Sequence, residues 1–288
     1  MQEPAAFSKD DEVESRFAVT GKIVLVTGAT GGIGLETARS LAQMGARVVV
    51  GARDAARGQA VVDELLRGGG QAELLEMDLA SFASVRRAAE RFTAAHARLD
   101  VLVNNAGVAV RERRVTEDGH ELTWQTNFLS HFLLTRLLLP ALKATAKPRV
   151  VNVSSEGHRQ GRLDWENLEL ERGFRSFQAY ANTKLAQILF TRELARREPS
   201  VAVNALHPGA IATGIWRAAP AFARWVLGLL LPPPEKGARP VVRLASAPEL
   251  DGVTGRYFNK LAEAAPSAAA ANDADAARLW KITEKDTS

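Results

Sequence analysis

Cysteine is absent from the sequence, and tyrosine occurs only twice among its 288 residues. Without cysteine the chain forms no disulfide and offers neither a thiolate metal ligand nor a cysteine nucleophile. This absence fits a reducing compartment, and we therefore expect a cytoplasmic protein. The hydrophobic content of 46% and the charged content of 24% are those of a globular protein with a substantial core.

Concentrated positive charge and long apolar runs are missing too. The formal net charge is +4, but arginines alternate with acidic residues, as in FTRELARRE (190–198), and we predict no nucleic-acid partner. The polar start MQEPAAFSKDDEVESRF is neither a signal peptide nor an anchor. The longest apolar patch, AAPAFARWVLGLLLPPP (218–234), contains Arg224 and is shorter than the roughly 20 apolar residues that span a bilayer. We therefore predict no transmembrane segment.

Six runs rich in valine, isoleucine and leucine alternate with amphipathic helical stretches. Their apolar residues are continuous, as expected for strands buried on both faces of a parallel sheet. The alternation predicts an α/β fold with a single doubly wound parallel sheet and helices on both faces. We expect a flexible segment at 1–19, the folded domain at 20–260, and an Ala-rich flexible segment with a short C-terminal helix at 261–288. The predicted strands are KIVLVTG (22–28), ARVVVGA (46–52), AELLEMD (72–78), LDVLVNNAG (99–107), RVVNVSS (149–155) and VAVNALHPG (201–209).

A glycine-rich turn, VTGATGGIG (26–34), links the first strand to the first helix. Glycines let the backbone approach a pyrophosphate, which the free N–H groups of the helix N-terminus then bind. The spacing is looser than G-x-G-x-x-G, and an ordinary strand–helix turn is the alternative. At this place in the alternation we predict a dinucleotide site formed by Gly28, Thr30, Gly31, Gly32, Ile33 and Gly34.

The end of the second strand predicts which dinucleotide is bound. An acidic residue there suits the ribose hydroxyls of NAD, whereas an arginine suits the 2′-phosphate of NADP. The strand ends at Ala52 and is followed by Arg53 and Asp54. Counting from Gly34 would make Asp54 the NAD-binding acid, but Asp54 is better placed to cap the next helix. We predict NADP, with Arg53 as its phosphate ligand.

The segment YANTK places Tyr180 and Lys184 four residues apart on a predicted helix, and hence on one face. An ammonium group near a phenol favours the phenolate and lowers its pKa, which makes the tyrosine a usable acid and base. The alternative is an ordinary aromatic residue on a helix face. His207, before a Pro-Gly turn, is interpreted as structural, and without a second ligand at metal spacing we predict no metal site.

Three further motifs accompany the glycine-rich turn and Y-x-x-x-K, namely NNAG (104–107), VVNVSS (150–155) and HPG (207–209). With all five in this order, residues 22–258 resemble the short-chain dehydrogenase/reductase family. The resemblance is strongest to the retinol dehydrogenase and WW-domain oxidoreductase-like branch. It implies a Rossmann-type NAD(P)-binding catalytic domain at 20–260 and an oxidoreductase activity.

The resemblance also implies roles for individual residues. It assigns catalysis to Asn127, Ser155, Tyr180 and Lys184, with a water on Asn127 that relays protons to Lys184. Two alternatives stay open: Ser155 as a strand-end turn residue, and Asn127 as the N-cap of a helix predicted at 127–144. The implied cofactor contacts, in addition to the glycine-rich turn and Arg53, are Asp78, Leu79, Asn104, Ala106, Gly107, Tyr180, Lys184, Pro208, Ile211 and Thr213.

Ser155 and Tyr180 are separated by a charged, turn-rich stretch that we predict to be a surface excursion. It puts the usual dimer contacts of the family in doubt, so a homo-oligomer is only a possible assembly. Bulky apolar groups after the sixth strand favour a lipophilic substrate, and a helix that only covers the core or touches a membrane surface is the alternative. These groups are Trp216, Phe222, Trp225 and Leu227 to Leu231.

We therefore predict an NADP(H)-dependent oxidoreductase that interconverts an alcohol and an aldehyde or ketone on a lipophilic small molecule, with Tyr180 as general acid and base. Two other functions, C=C reduction and non-catalytic dinucleotide sensing, are alternatives. Reduction of a C=C bond, as in protochlorophyllide reductases, is disfavoured because that branch relies on cysteines. A non-catalytic dinucleotide sensor is disfavoured because Ser155, Tyr180 and Lys184 are all present.

Overall fold

Eight strands form one sheet in the computed structural model, which describes residues 19–209 and 232–288. The strand order is β3-β2-β1-β4-β5-β6-β7-β8, and every pairing is parallel except that of β7 with β8. The predicted doubly wound parallel sheet is confirmed. The strands are β1 (Ile23–Thr27), β2 (Arg47–Ala52), β3 (Gln71–Glu76), β4 (Val101–Asn104), β5 (Arg149–Val153), β6 (Ala202–His207), β7 (Tyr257–Asn259) and β8 (Ala262–Glu263).

Helices cover both faces of the sheet, and each face has its own hydrophobic core. One core joins the sheet to α1, α2 and α6, and the other joins it to α3, α4, α5 and α7. The helices are α1 (Gly32–Gln43), α2 (Ala55–Arg67), α3 (Phe82–Ala95), α4 (Leu122–Trp124, a π-helical turn at Gln125–Leu129, then Ser130–Lys143), α5 (Ser176–Arg197), α6 (Pro234–Ser246) and α7 (Asp273–Asp286).

The centre of the sheet explains why the strands read as uninterrupted apolar runs. In β1, Val24, Leu25 and Val26 are all fully buried, because alternate side chains enter the two cores on opposite faces. The chain leaves β1 toward β2 on one side and returns as β4 on the other. The strand order therefore reverses between β1 and β4, and their carboxyl ends flank the crevice in which such sheets bind ligands.

The predicted start of α4 is wrong by five residues. The helix begins at Leu122, where the Glu121 carboxylate accepts a hydrogen bond from the Trp124 N–H group at 2.8 Å. Asn127 lies inside the helix, in the π-helical turn, so the alternative that it is an N-cap is also wrong. A π turn adds a residue to the helical repeat and often marks a functional site.

Residues 261–288 carry more structure than the predicted flexible segment and short helix. They form β8, a 3₁₀ turn at Ala269–Ala271, and the 14-residue helix α7, which Asn272 caps through hydrogen bonds from two backbone N–H groups. Small alanine side chains allow close contact, and Ala270 is fully buried. Trp280 anchors the segment: its ring lies 4.8 Å from that of Phe132 and 6.0 Å from that of Phe190.

The stretch between Ser155 and α5 runs partly over the surface, as predicted, but it is anchored at several points. It opens with a 3₁₀ turn at Glu156–Gln160, in which His158 is fully buried. Farther on, the Glu169 carboxylate binds the His120 ring nitrogen at 2.6 Å and accepts a hydrogen bond from the Glu121 N–H group. Within the described part of the chain, none of the helices combines the length and the apolar character that a bilayer crossing needs.

Replacing Trp280 should destabilise the protein strongly, because its indole fills the space between α4 and α5. We expect Trp280→Ala to lower the free energy of unfolding by about 3–5 kcal/mol, measured from urea denaturation curves. Lys281→Ala, at an exposed position of the same helix, should change it by less than about 0.5 kcal/mol. A similar loss for both variants would contradict an anchoring role of the indole.

Candidate active site

The glycine-rich turn joins β1 to α1 and requires glycine at three positions. Gly28 and Gly32 adopt φ angles of +67° and +55°, which are strained for residues with a side chain. A Cβ atom on Gly34 would lie 2.4 Å from both the Asn105 side-chain nitrogen and the Gly28 carbonyl oxygen. Helix α1 therefore begins directly against the carboxyl ends of β1 and β4.

The start of α1 fits a pyrophosphate group. Gly31 precedes the helix and offers no side-chain cap, and the first turn contains no acidic residue. The N–H groups of this turn can therefore bind an anion. A Cβ atom on Gly31 would approach only the Arg57 guanidinium, at 3.9 Å, so the space in front of the turn is open. The predicted residues Thr30, Gly32 and Ile33 lie in the same turn, and the Ile33 side chain belongs to the core.

Two arginines follow β2 near this turn. Arg53 follows β2 and is exposed, whereas Asp54 caps α2 by accepting a hydrogen bond from the Arg57 N–H group at 3.0 Å. The prediction that Asp54 is a cap is confirmed. The Arg57 guanidinium donates to the Thr30 carbonyl oxygen at 3.0 Å. Arg57 was not predicted as a site residue, although it follows Arg53 by four residues, which is about one helical turn.

The NNAG motif lines the crevice mainly through its backbone. Asn104 is fully buried, and its side-chain nitrogen donates to Thr135 Oγ1 at 3.0 Å and to Asn152 Oδ1 at 2.8 Å. The side-chain nitrogen is thus committed to the core, while Oδ1 is buried without a hydrogen-bond partner among the described residues. Ala106 is half-buried and Gly107 is exposed, as expected for residues beside a bound ribose.

The loop after β3 holds the two residues assigned to the adenine. Asp78 is half-buried, and its carboxylate accepts a hydrogen bond from the Ala80 N–H group at 2.9 Å. Leu79 is buried, and its carbonyl oxygen accepts a hydrogen bond from Ser130 Oγ at 2.6 Å. The loop is therefore fixed to α4 before any ligand is considered.

Ser155 and Tyr180 come together at the carboxyl edge of the sheet, where a Cβ atom on Gly157 would lie 3.5 Å from both Ser155 Oγ and Tyr180 Cε1. Ser155 Oγ also accepts a hydrogen bond from the Gly157 N–H group at 3.1 Å. Ser155 is therefore a turn residue at the end of its strand and at the same time a neighbour of Tyr180. Lys184 Nζ lies 5.5 Å from the centroid of the Tyr180 ring. The intervening surface excursion therefore leaves the two hydroxyl groups able to meet.

Burial determines the pKa values of this pair. It raises the pKa of Tyr180 above its ordinary value, and the hydrogen bond with Ser155 only partly offsets the rise. It lowers the pKa of Lys184 from 10.5 to about 7. In the protein alone the pKa of Tyr180 is therefore raised and not lowered, because burial penalises the phenolate more than Ser155 favours it. The effect predicted for Lys184 remains a prediction.

Asn127 stands between the NNAG motif and α5. Its side-chain amide accepts a hydrogen bond from the Val108 N–H group at 2.8 Å and donates to the Val108 carbonyl oxygen at 2.9 Å and to Thr183 Oγ1 at 3.2 Å. A Cβ atom on Gly107 would lie 3.5 Å from Asn127 Oδ1 and 3.9 Å from Lys184 Nζ. Both distances are ordinary contacts, so the exposed Gly107 lies directly beside the Lys184 ammonium group and the Asn127 side chain.

The sequence analysis assigned no role to His131, yet it belongs to the site. The ring is buried, and its Nδ1 lies 3.0 Å from the Asn127 carbonyl oxygen. Its Nε2 lies 3.0 Å from Thr27 Oγ1. The same Thr27 oxygen accepts hydrogen bonds from the N–H groups of Asn105 and Ala106. Since a carbonyl can only accept, Nδ1 carries the proton. Its spacing of four residues from Asn127 was the available signal.

The end of β6 completes the described part of the site. Pro208 is buried there, next to the half-buried His207, whose Nδ1 has no hydrogen-bond partner within the described part of the chain. Ile211 and Thr213, the other residues assigned to the nicotinamide, lie outside the described residues. The same holds for the apolar groups from Trp216 to Leu231.

A family model described as short chain dehydrogenase matches residues 22–223. The chain belongs to the short chain dehydrogenase family. Retinol dehydrogenase 14 of Mus musculus is 41% identical over 284 residues, which cover 92% of this chain and 85% of the relative. Polyprenol dehydrogenase of Mus musculus is 44% identical over 278 residues, which cover 90% of this chain and 82% of the relative.

Solved structures of short chain dehydrogenases have the same fold. A crystal structure of an uncharacterised protein from Mycobacterium paratuberculosis has a TM-score of 0.77 and 34% identity, covering 93% of this chain and 94% of that one. A second, assigned as an NAD(P)-dependent gluconate 5-dehydrogenase from Beutenbergia cavernae, contains NADP at low occupancy. Its TM-score is 0.71 at 30% identity, over 85% of this chain and 97% of that one. This short chain dehydrogenase is therefore an oxidoreductase that binds a nicotinamide dinucleotide.

The buried His131 should make this short chain dehydrogenase sensitive to acid. Burial lowers its pKa to about 4, whereas the unfolded chain has a histidine pKa of about 6.5. Between these values only the unfolded state takes up the proton, so stability falls as the pH decreases from about 6.5 to 4. The expected contribution is on the order of 3 kcal/mol.

The test compares the wild type with His131→Gln, which cannot titrate in this range. Urea denaturation between pH 7 and pH 4 should show a shallower loss of unfolding free energy for the variant, although the variant is less stable at pH 7. Parallel pH dependences for the two proteins would show that His131 is not the titrating group.

Proposed function

We propose that the protein is an NADP(H)-dependent oxidoreductase that interconverts an alcohol and an aldehyde or ketone on a lipophilic small molecule, with Tyr180 as general acid and base. The observation that carries this proposal is the close approach of the Ser155 and Tyr180 side chains beside Lys184 at the edge of the crevice. Two hydroxyl groups that meet in this way can both reach one carbonyl oxygen of a substrate.

In the direction of reduction, a bound NADPH would supply the hydride for the carbonyl carbon. The Ser155 hydroxyl donates a hydrogen bond to the carbonyl oxygen and stabilises the negative charge that develops on it. The phenol of Tyr180 holds its proton at neutral pH and can donate it to the developing alkoxide, although burial, which raises its pKa, opposes this donation. Lys184 brings positive charge near the phenol, which favours the phenolate that remains after donation.

The preference for NADP rests on the two arginines next to the glycine-rich turn. Arg53 is exposed directly after β2, and Arg57 is held against the turn by its hydrogen bond to the Thr30 carbonyl oxygen. Guanidinium groups suit a phosphate dianion because they are planar, permanently charged donors. The nearest carboxylate, that of Asp54, is engaged in capping α2.

Support for a lipophilic substrate comes from the relatives. Two of them are named for their action on retinol and polyprenol, and both of these compounds are apolar isoprenoid alcohols. The apolar residues between Trp216 and Leu231 would suit such a substrate. The cytoplasmic location, the division at residues 19 and 260, and a homo-oligomer remain predictions.

Removing the phenolic hydroxyl should abolish turnover without preventing cofactor binding. We expect Tyr180→Phe to lower kcat on lipophilic aldehydes by about 10³-fold, within the range of general acid–base catalysis, while the Kd for NADPH stays within about twofold of the wild type. Assays would follow NADPH absorbance with a panel of long-chain aldehydes and ketones.

Tyr257→Phe is the matched control. Tyr257 is the only other tyrosine of the sequence, and its hydroxyl group donates to the Glu156 carboxylate at 2.7 Å, away from Ser155 and Tyr180. This variant should keep most of the wild-type turnover. Binding of NADPH by the wild type without turnover on any carbonyl of the panel would sink the proposed reaction and favour a dinucleotide sensor.

Removing the charge of Arg53 should weaken NADPH selectively. A hydrogen bond to a charged group contributes about 1.5–3 kcal/mol, so Arg53→Ala should raise the Kd for NADPH about 10- to 100-fold. The Kd for NADH should change little, and Arg57→Ala should add to the loss for NADPH. Fluorescence titrations measure both affinities.

The control for this experiment is Arg47→Ala, since Arg47 is exposed at the opposite end of β2. It should leave both affinities unchanged. Equal losses of NADPH and NADH affinity in Arg53→Ala would refute the assignment of NADP.

A further inference from the structure

Gln187 bridges Lys184 and Asn127 with its side-chain amide. Lys184 Nζ donates to Gln187 Oε1 at 3.0 Å, and Gln187 Nε2 donates to the Asn127 carbonyl oxygen at 2.9 Å. Gln187 and Asn127 are buried, as is Lys184. The bridge therefore joins three buried groups on α4 and α5 without contact with bulk solvent.

The orientation of this amide is determined by its partners. The ammonium group offers only donors and the carbonyl only accepts, so the oxygen of Gln187 must face Lys184 and its nitrogen must face Asn127. The reversed amide would set two donors against each other and two acceptors against each other. One conformation is therefore strongly preferred in a buried setting, where unsatisfied polar groups are costly.

The Asn127 carbonyl oxygen has no room for a further donor. It accepts hydrogen bonds from Gln187 Nε2 and from His131 Nδ1, which together use its two lone pairs. A water on Asn127 that relays protons to Lys184 through this carbonyl oxygen would need a lone pair that the two bonds already use. The amide of Gln187 stands where that water would be.

Among residues 19–209 and 232–288, the same bonds leave one donor of Lys184 without a partner. Nζ carries three N–H groups, of which one goes to Gln187 Oε1 and one to the Val153 carbonyl oxygen at 2.8 Å. The exposed Gly107 lies beside Nζ, since a Cβ atom on it would be in ordinary contact with Nζ at 3.9 Å. The third N–H group is thus available on the side where the ribose would lie.

We propose that Gln187 is a positioning residue for Lys184, which replaces a bridging water with a side-chain amide and leaves one N–H group of the lysine for the cofactor. The effect of Gln187 on catalysis rests on the proposed function, whereas its effect on the position of the Lys184 ammonium group does not. It also implies that protons do not leave Lys184 through the Asn127 carbonyl.

The ammonium group of Lys184 faces two titratable side chains. They are Tyr180 on the same helix and His131 on α4, which is neutral above about pH 4. Its direct partners, Gln187 and the Val153 carbonyl, are uncharged. The acceptor of Gln187 therefore favours the charged form of Lys184, against burial, which lowers its pKa to about 7.

The experiment compares three substitutions at Gln187 and reads the pKa of Lys184 by NMR titration of its side-chain signals, assigned with Lys184→Met. Gln187→Leu keeps the volume but removes the acceptor and excludes water, so the pKa should fall by about one unit or more. Gln187→Ala leaves a space in which a water can restore the bridge, so its pKa should fall less. Gln187→Glu places a carboxylate beside the ammonium group and should raise the pKa.

A merely structural role of Gln187 gives a different order. Filling a buried volume would make Gln187→Ala the most damaging variant, as measured by the unfolding temperature, with the same Lys184 pKa in all variants. That result would overturn the proposal. Thr191→Val is the matched control, because Thr191 is buried on the same helix one turn away and binds the Gln187 backbone carbonyl. It should leave the pKa of Lys184 unchanged.

Binding of NADPH provides a second readout that needs no turnover. In fluorescence titrations at pH 7, Gln187→Leu should raise the Kd for NADPH about tenfold, and Gln187→Ala should raise it by less. An unchanged Kd in Gln187→Leu would contradict the placement of the third N–H group. Failure of the wild type to reduce any carbonyl would sink the proposed reaction while leaving these measurements intact.

Discussion

The hydroxyl group of Thr27 is the contact on which the geometry of the site depends. It lies at the last residue of β1, accepts hydrogen bonds from the N–H groups of Asn105 and Ala106, and meets His131 Nε2 at 3.0 Å. Because the proton of His131 is on Nδ1, the Thr27 hydroxyl donates to Nε2. One side chain thus ties the end of β1 to the end of β4 and to α4, at the point where the strand order reverses. From there the hydrogen bonds continue through the Asn127 carbonyl and Gln187 to Lys184.

Burial acts on the two ionisable groups of the site in opposite directions, and both shifts favour the neutral forms. It raises the pKa of Tyr180 and lowers that of Lys184 to about 7, because a low dielectric disfavours charge of either sign. The phenol is therefore a protonated donor at neutral pH, while Lys184 is close to its titration point. The hydrogen bonds from Ser155 to the phenol and from the ammonium group to Gln187 favour the charged forms. The chemistry of the site thus depends on a balance between desolvation and a few directed hydrogen bonds.

Much of this arrangement could be read from the sequence, because the signals were local. The uninterrupted apolar strands, the glycine-rich turn, the cap at Asp54 and the Y-x-x-x-K spacing each depend on neighbouring residues only. The start of α4 at Leu122 could not be predicted, since it depends on Glu121 and on a π-helical turn stabilised by contacts with α5. Asn104 belongs to a motif, yet its side chain lies in the core because Thr135 and Asn152, which are distant in sequence, accept its hydrogen bonds there. Gln187 has no motif at all, and its role follows from three elements that meet only in the folded chain.

The same two helices that carry the site are held from behind by aromatic rings. Asn127 and His131 lie on α4, and Lys184 and Gln187 on α5, with their polar groups toward the sheet edge. On the outer side, Phe132 and Phe190 lie 5.3 Å apart and both contact Trp280 of α7. A shift of α4 along α5 would therefore break the bond between Gln187 and the Asn127 carbonyl and separate the aromatic rings at once. Because apolar contacts resist separation and the buried hydrogen bonds fix the register, Lys184 is held in place by two kinds of interaction that fail together.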